Sequence, residues 1–184
     1  MRRLFAVLVL SMVVFSSNAQ MVWKKGYAIL NNGDSVKGDI RLNPKKESDA
    51  YFKVMVKVTE DNKKNFNATK IKEYSFDSTR FVSRQVEGEF SFVKVLASGS
   101  INLYEHLYEW QSGDQIVYKA EYFIEKGNSK EMVKVKQGKF KKFVEENMAD
   151  NSSLVKDVQD KKYDFEQLTE VVQQYNNWAK TQKG

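Results

Sequence analysis

The chain has 184 residues, no cysteine and one histidine, and its 30 Lys and Arg outnumber its 24 Asp and Glu. The absence of cysteine excludes disulfides, thiolate nucleophiles, Cys-type zinc sites and the lipid attachment of bacterial lipoproteins. The mild positive charge is spread along the whole chain, unlike the concentrated basic face of a nucleic-acid binder. We therefore expect no nucleic-acid partner, no metal and no cofactor.

Residues 1–19 have the pattern of an export signal. Two arginines precede an apolar run at 4–15, which is short for a membrane span, and the small-x-small site Ser-Asn-Ala follows at 17–19. We predict cleavage before Gln20, leaving a periplasmic or extracellular protein without a transmembrane anchor. The alternative is an uncleaved N-terminal anchor.

Between residues 20 and 137 the hydrophobic pattern has a period of two, which predicts strands. Asn32-Gly33 predicts a tight hairpin in which both central residues have positive φ. The connections are too short for parallel crossovers, so the sheet is expected to be an antiparallel meander. The nine predicted strands cover residues 22–30, 35–42, 52–59, 71–76, 80–86, 90–97, 101–110, 115–125 and 131–136.

After Gly138 the period changes to about 3.6, which predicts two to three amphipathic helices. Asp164 and Gln167 have the spacing of a capping box at the start of the last helix. We predict a mainly β fold with C-terminal helices (α+β), in which a rolled sheet, barrel-like or a sandwich, is packed by the helices. We expect a single domain over 20–184, with a β region at 20–137 and a helical tail at 138–184.

Two groups of residues carry a resemblance to small exported proteins common in Bacteroidota. Gly26-Tyr27, Asn32-Gly33-Asp34-Ser35-Val36, Gly38 and Ile40 resemble the opening of those proteins. The runs at 92–96, 99, 103–104 and 122–126 are similar to their central part. The resemblance implies an exported protein of this architecture, and it implies no activity and no site residues. From the residues alone, Gly26 and Gly38 are expected to relieve crowding by a bulky neighbour such as Trp23 or Tyr27.

The strands around 112–114 hold the candidate binding site. Tyr104, His106, Tyr108 and Trp110 alternate and so share one face, and the pattern allows aromatics of the returning strand to join them. One interpretation is a stacking platform for sugars or a small apolar ligand, and the favoured alternative is a layer of the core. The candidate ligand-binding residues are Tyr104, His106, Tyr108, Trp110, Tyr118 and Tyr122.

Carboxylates are expected on the opposite face of the same two strands. Glu105, Glu109, Glu121 and Glu125 surround Lys119 there in the predicted arrangement. Paired carboxylates can hydrolyse glycosides and a cluster can bind calcium, but an ordinary solvated face has the same composition. We favour the solvated face and predict no catalytic residue.

These observations favour a non-catalytic exported domain that binds an envelope protein or a polymer such as a polysaccharide. The alternative is a module that binds a glycan or small apolar ligand on the aromatic face. An enzyme is disfavoured because the chain lacks a nucleophile elbow, a phosphate-binding loop and a dinucleotide fingerprint.

Overall fold

The computed structural model describes residues 21–127, 129 and 131–182, and the predicted signal at 1–19 lies outside them. An antiparallel sheet is followed by helices, which confirms the mainly β fold with C-terminal helices. The described strands are β1 (Val22–Leu30), β2 (Ser35–Leu42), β3 (Val54–Lys57), β4 (Lys63–Phe66), β5 (Ile71–Phe76), β6 (Thr79–Val86), β7 (Glu89–Ala97), β8 (Ile101–Ser112), β9 (Gln115–Lys126) and β10 (Val133–Val135). The described α-helices are α1 (Phe140–Asn147), α2 (Ser152–Gln159) and α3 (Leu168–Thr181).

The first hairpin forms where it is predicted, but its turn is of a different type. Gly33 has a φ of 97°, whereas Asn32 is not among the residues with positive φ. The Gly33 amide donates to the Leu30 carbonyl, and the Asn32 side chain accepts from the Asp34 amide at 3.1 Å. Because the asparagine side chain stabilises this wider loop, only the glycine needs the left-handed region. Among the described residues, two successive positive φ values occur at Glu87-Gly88, at 51° and 95°.

The predicted strand over 52–59 is too long. Its centre forms β3, but Phe52 and Val58 at its ends are 41% and 39% exposed. A 3-10 helix at Glu47–Tyr51, which we call the capping segment, precedes it. The polar strand β4 that follows was missed because a sequence beginning Lys63-Lys64 has no apolar alternation.

The strand order is β10-β9-β8-β7-β6-β5-β1-β2-β3-β4, so the predicted meander is interrupted where β5 pairs with β1. Only residues 67–70 connect β4 to β5, although three strands lie between them in the sheet. In a flat sheet the link would cross about 19 Å, whereas its reach is at most about 18 Å. The sheet is therefore rolled, although β4 and β10 remain its open edges and it does not close into a barrel.

Gly26 and Gly38 permit this curvature. They are directly paired across β1 and β2. A Cβ on Gly26 would overlap the Ser75 carbonyl oxygen, and one on Gly38 would overlap the Lys57 carbonyl oxygen. The crowding therefore comes from the backbones of neighbouring strands and, at Gly26, also from the Ile40 side chain 2.6 Å away, whereas neither Trp23 nor Tyr27 is among the nearest groups.

The face of the sheet that carries Ala28, Ile40 and Phe81, which we call the inner face, holds most of the core. The capping segment covers one part of it, and the helices cover the part formed by Ile101, Leu103 and Ile124. The other face, the outer face, has a smaller cluster formed by Val82, Val86, Val93, Tyr104 and Phe123.

The helices contribute a continuous apolar stripe, and the predicted capping box of Asp164 and Gln167 is present. Their buried residues are Phe140, Phe143, Val144, Met148, Leu154, Val158, Leu168, Val171, Val172, Tyr175 and Ala179. Among the helices of the described residues, none combines the length and the apolarity needed to cross a bilayer.

Candidate functional site

The structure divides the predicted aromatic platform between the two faces of the sheet. Ser112 pairs with Gln115 across the loop Gly113-Asp114, so each even-numbered residue of β8 lies opposite an odd-numbered residue of β9. Tyr104, His106, Tyr108 and Trp110 therefore lie on the outer face, whereas Tyr118 and Tyr122 lie on the inner face. All six residues would share a face only with a three-residue loop at 112–114, and the two-residue loop reverses the face of β9.

Tyr104 is buried in a polar network and is not available to a ligand. Its hydroxyl donates to Glu125 at 2.6 Å, and the Arg84 guanidinium donates to both. Burial and the Glu125 carboxylate raise the pKa of Tyr104 to about 12. The network links β6, β8 and β9, which makes it a structural element of the outer face.

The cavity that opens on the outer face beside Phe123 and Lys134 is not lined by His106, Tyr108 or Trp110. His106 is half-buried beside Phe123, and its Nδ1 is buried without a hydrogen-bond partner among the described residues. Burial lowers the pKa of His106, against the opposing effect of the Glu121 and Glu87 carboxylates. Tyr108 is half-buried, and Trp110 is 48% exposed with the Lys119 ammonium 4.2 Å from its ring centre.

The two inner-face tyrosines pack against other elements. The ring of Tyr122 contacts Phe165 edge to face at 5.6 Å, just before α3. The ring of Tyr118 lies 6.1 Å from Phe52, and its hydroxyl donates to Glu109 at 3.1 Å. These contacts support the core interpretation of the aromatic residues.

The predicted cluster of carboxylates is also divided. Glu105 and Glu109 lie on the inner face, whereas Glu121, Glu125 and Lys119 lie on the outer face. In the described part of the chain, no group of three or more His, Asp or Glu side chains is arranged to hold a metal ion.

The structure has a different candidate site at one end of the roll. Here β1 begins, β2 ends, and the turn between β5 and β6 approaches the capping segment. The cavity has a volume of about 580 Å³, within the range of about 300–1,000 Å³ that is usual for small-molecule sites. We call it the mouth cavity; its lining residues are Met21, Val22, Lys24, Arg41, Leu42, Asn43, Pro44, Lys46, Glu47, Asp49, Ala50, Tyr51, Lys53, Met55, Asn65, Phe76, Thr79, Phe81 and Lys94.

Aromatic rings form much of the apolar lining. Tyr51 and Phe81 pack edge to face with their ring centres 5.1 Å apart, and Tyr74 stacks on Phe81 at 4.9 Å. The Tyr51 hydroxyl donates to Glu105, and burial raises the pKa of Tyr51 well above its ordinary range. The hydroxyl of Tyr74 donates to the Ala50 carbonyl, so the capping segment is fixed above the sheet.

The charged residues around the cavity are mainly cationic. Five lining residues are Lys or Arg, and only Glu47 and Asp49 are acidic. Lys24 pairs with Asp77 at 3.3 Å, outside the lining, and Lys46 pairs with Asp49 at 3.4 Å.

Lys94 is the most informative of these cations. The registers that pair it with Phe81 and with Glu105 place it on the inner face, inside the roll. No carboxylate oxygen of the described residues lies within 4.0 Å of its ammonium, and the Glu105 carboxylate on the neighbouring strand accepts a hydrogen bond from Tyr51. Arg41 and Lys53 also lack a carboxylate partner in the described ranges. The cavity therefore combines an apolar wall with unpaired positive charge.

Sequence reasoning missed this site because its lining comes from segments that are far apart in the chain. One local signal was present. Lys94 is two residues from Phe92 and therefore lies on the same, apolar face of the strand. A lysine at an inward position of a strand is a departure from the core pattern. Comparisons with protein-family models, curated proteins and solved structures each find no match for this chain.

Proposed function

We propose that this protein is a binding module for a small amphipathic anion, a molecule with an apolar body and one carboxylate or similar group. The mouth cavity is the binding site. The observation that carries the proposal is Lys94, an inward-facing lysine without a carboxylate partner inside a cavity with aromatic walls. The sequence pattern of residues 1–19 supports an exported location for this activity.

The positive charge of the cavity lining is the reason for proposing a ligand with an anionic group. Positive side chains that are partly withdrawn from water favour an opposite charge close by. A hydrogen bond to a charged group contributes about 1.5–3 kcal/mol, so Lys94 is positioned to select an anion. Arg41, which belongs to the outer face of β2, and Lys53 add positive charge at the rim of the same opening.

The walls of the mouth cavity are the reason for proposing a ligand with an apolar body. Phe76, Phe81 and the ring of Tyr51 line the cavity beside Val22 and Leu42. An apolar chain or ring that covers these side chains is stabilised by about 25 cal/mol for each Å² removed from water. A purely polar ion, such as phosphate alone, would leave this surface uncovered.

The proposal keeps the small apolar ligand of the sequence-based alternative but moves its site. The aromatic residues predicted for ligand binding are divided by the sheet, whereas the mouth cavity gathers apolar and cationic side chains in one concavity. Binding of an envelope protein or polymer stays a separate prediction.

Calorimetric titration with three compounds tests the chemistry of the ligand. Decanoate has the apolar body and the charge, 1-decanol has only the body, and acetate has only the charge. We expect decanoate to bind at one site at least tenfold more tightly than decanol, since a charged contact worth about 1.4 kcal/mol gives this factor. Acetate should show no binding at the same concentrations. Equal affinity for decanoate and decanol, or no binding of decanoate, would refute the proposal.

A further inference from the structure

Lys94 lies between two side chains that the sheet places beside it on the inner face. The register of β7 puts it directly opposite Phe81 of β6 and Glu105 of β8. Paired residues of antiparallel strands have their Cβ atoms about 4.5–5.5 Å apart, and opposite charges in such a pair stabilise the sheet. The register therefore makes Glu105 the expected partner of Lys94.

The expected ion pair does not form. Among the described residues, no carboxylate oxygen of Glu105 lies within 4.0 Å of the Lys94 ammonium. The Glu105 carboxylate instead accepts a hydrogen bond from the Tyr51 hydroxyl. Lys94 and Glu105 are both half-buried, so a contact between them would be only partly screened by water.

Tyr51 of the capping segment reaches both neighbours of Lys94. Its ring packs edge to face on Phe81, with the ring centres 5.1 Å apart, and its hydroxyl binds Glu105. Since β6 and β8 lie on opposite sides of β7, the Tyr51 side chain spans the strand that carries Lys94. Tyr51 and Lys94 both line the mouth cavity, whereas Glu105 is not among its lining residues.

We propose that Tyr51 is a positioning residue that determines the selectivity of the mouth cavity for anions. By binding Glu105, it keeps this carboxylate from pairing with Lys94. The Lys94 ammonium then stays free for the anionic group of a ligand. This inference rests on the proposed function, because it concerns the same cavity and the same cation.

The Tyr51 hydroxyl is suited to this role because it stays protonated and fixed. Burial and the Glu105 carboxylate raise the pKa of Tyr51 well above its ordinary value, so the hydroxyl remains a donor. The capping segment is held by a second bond, from the Tyr74 hydroxyl to the Ala50 carbonyl. Glu105 is therefore bound by a donor that neither ionises nor depends on a free loop.

Removing the Tyr51 hydroxyl leaves Glu105 with two neighbouring donors. Lys94 is on one side of it, and Tyr122 of β9 is on the other. The ammonium attracts the carboxylate by its charge as well as by a hydrogen bond. Burial raises the pKa of Tyr122 and keeps it neutral, and its ring packs against Phe165. Glu105 is therefore expected to turn to Lys94 and to compete with the ligand.

Calorimetric titration of decanoate and 1-decanol into Tyr51→Phe tests the proposal. Phenylalanine keeps the ring in the apolar wall and removes only the hydroxyl, so the ratio of the two affinities reports the anionic contact. We expect the preference for decanoate to fall at least about fivefold. It should recover in Tyr51→Phe combined with Glu105→Gln, where no carboxylate competes for Lys94.

Tyr27→Phe is the matched control for this titration. It removes a similar bond, from a tyrosine hydroxyl to the Glu73 carboxylate at 3.2 Å, on the outer face of β1. The preference for decanoate should be the same in this variant as in the wild type. An unchanged preference in Tyr51→Phe, or a loss that Glu105→Gln does not restore, would overturn the proposal.

A double-mutant cycle without ligand separates a failure of this inference from a failure of the proposed function. Lys94→Met, Glu105→Gln and their combination are unfolded in urea, in the wild type and in the Tyr51→Phe background. Loss of the hydroxyl should increase the coupling of the two positions at least about threefold in the unfolding equilibrium constant. Equal coupling in both backgrounds would overturn the role of Tyr51 and leave the decanoate test of the proposed function standing.

Discussion

The Arg84, Tyr104 and Glu125 network shows how this sheet buries charge. The Glu125 side chain is 5% exposed, and it accepts hydrogen bonds from both partners. A buried carboxylate is expensive unless it is paired and bonded in this way. The network therefore stabilises the outer face, where Tyr104 also packs against Val82, Val93 and Phe123.

His106 provides a prediction at the residue scale. Its burial favours the neutral imidazole and lowers its pKa below the ordinary value of 6.5, although Glu121 and Glu87 oppose the shift. Because it is the only histidine, its ring protons can be followed by NMR without assignment. We expect a titration midpoint below 6.5, and a midpoint at or above 6.5 would show that the carboxylates prevail.

The same shift predicts the direction of the pH dependence of stability. Between the folded and unfolded pKa values the unfolded chain binds more protons, so the free energy of unfolding rises with pH in this window. The contribution of His106 is complete above about 6.5 and is lost as the pH falls. Replacing His106 with Gln should flatten this part of the curve, measured by urea unfolding at a series of pH values.

The sequence could not establish which aromatic side chains of β8 and β9 lie on the same face of the sheet. Alternation predicts correctly that Tyr104, His106, Tyr108 and Trp110 share a face. Their relation to Tyr118 depends on whether the loop has two residues or three, and Ser-Gly-Asp suits both. Loop length therefore decides which residues meet.

At the scale of elements, α3 is joined to the sheet by a polar contact within an apolar interface. The Asn176 side chain accepts from the Ile101 amide at 2.9 Å and donates to the Ile101 carbonyl at 2.8 Å. Asn176 thus replaces a strand partner at the first residue of β8. Gly99 gives it room, because a Cβ there would lie 2.6 Å from the Asn176 side chain.

Replacing Asn176 with Ala should therefore destabilise the fold strongly. Both backbone groups of Ile101 would remain buried without a partner, at a cost of about 1–3 kcal/mol each. Asn177→Ala is the matched control, since this neighbour on the same helix is exposed. Urea denaturation should show a loss of at least about 2 kcal/mol for the first variant and little change for the second. Equal losses would mean that the contact adds nothing specific.

Elements with a clear period were predictable, and those stabilised by tertiary contacts were not. The helical stripe from Leu168 to Tyr175 is buried as its spacing predicts. The capping segment, in contrast, depends on the hydroxyl groups of Tyr51 and Tyr74, whose partners are Glu105 and a backbone carbonyl. Such partners are distant in sequence and leave no local pattern.

At the scale of the whole molecule, the roll creates the mouth cavity. The short link at 67–70 pulls β4 and β5 together, and Gly26 and Gly38 allow the backbones to approach. The pairing of β5 with β1 could not be predicted, because hydrophobic periodicity carries no information about the order of strands in a sheet. Only in this rolled arrangement does the inner-face position of Lys94 become part of a cavity.

The most direct test of the account is calorimetric titration of decanoate into the wild type, Lys94→Met and Lys37→Met. Methionine keeps much of the apolar volume of lysine and removes the charge, and Lys37 is an exposed lysine on the outer face of β2. We predict that Lys94→Met weakens binding at least tenfold, about 1.4 kcal/mol, while Lys37→Met leaves it unchanged. The same affinity in all three proteins would contradict the assignment of the mouth cavity as the anion-binding site.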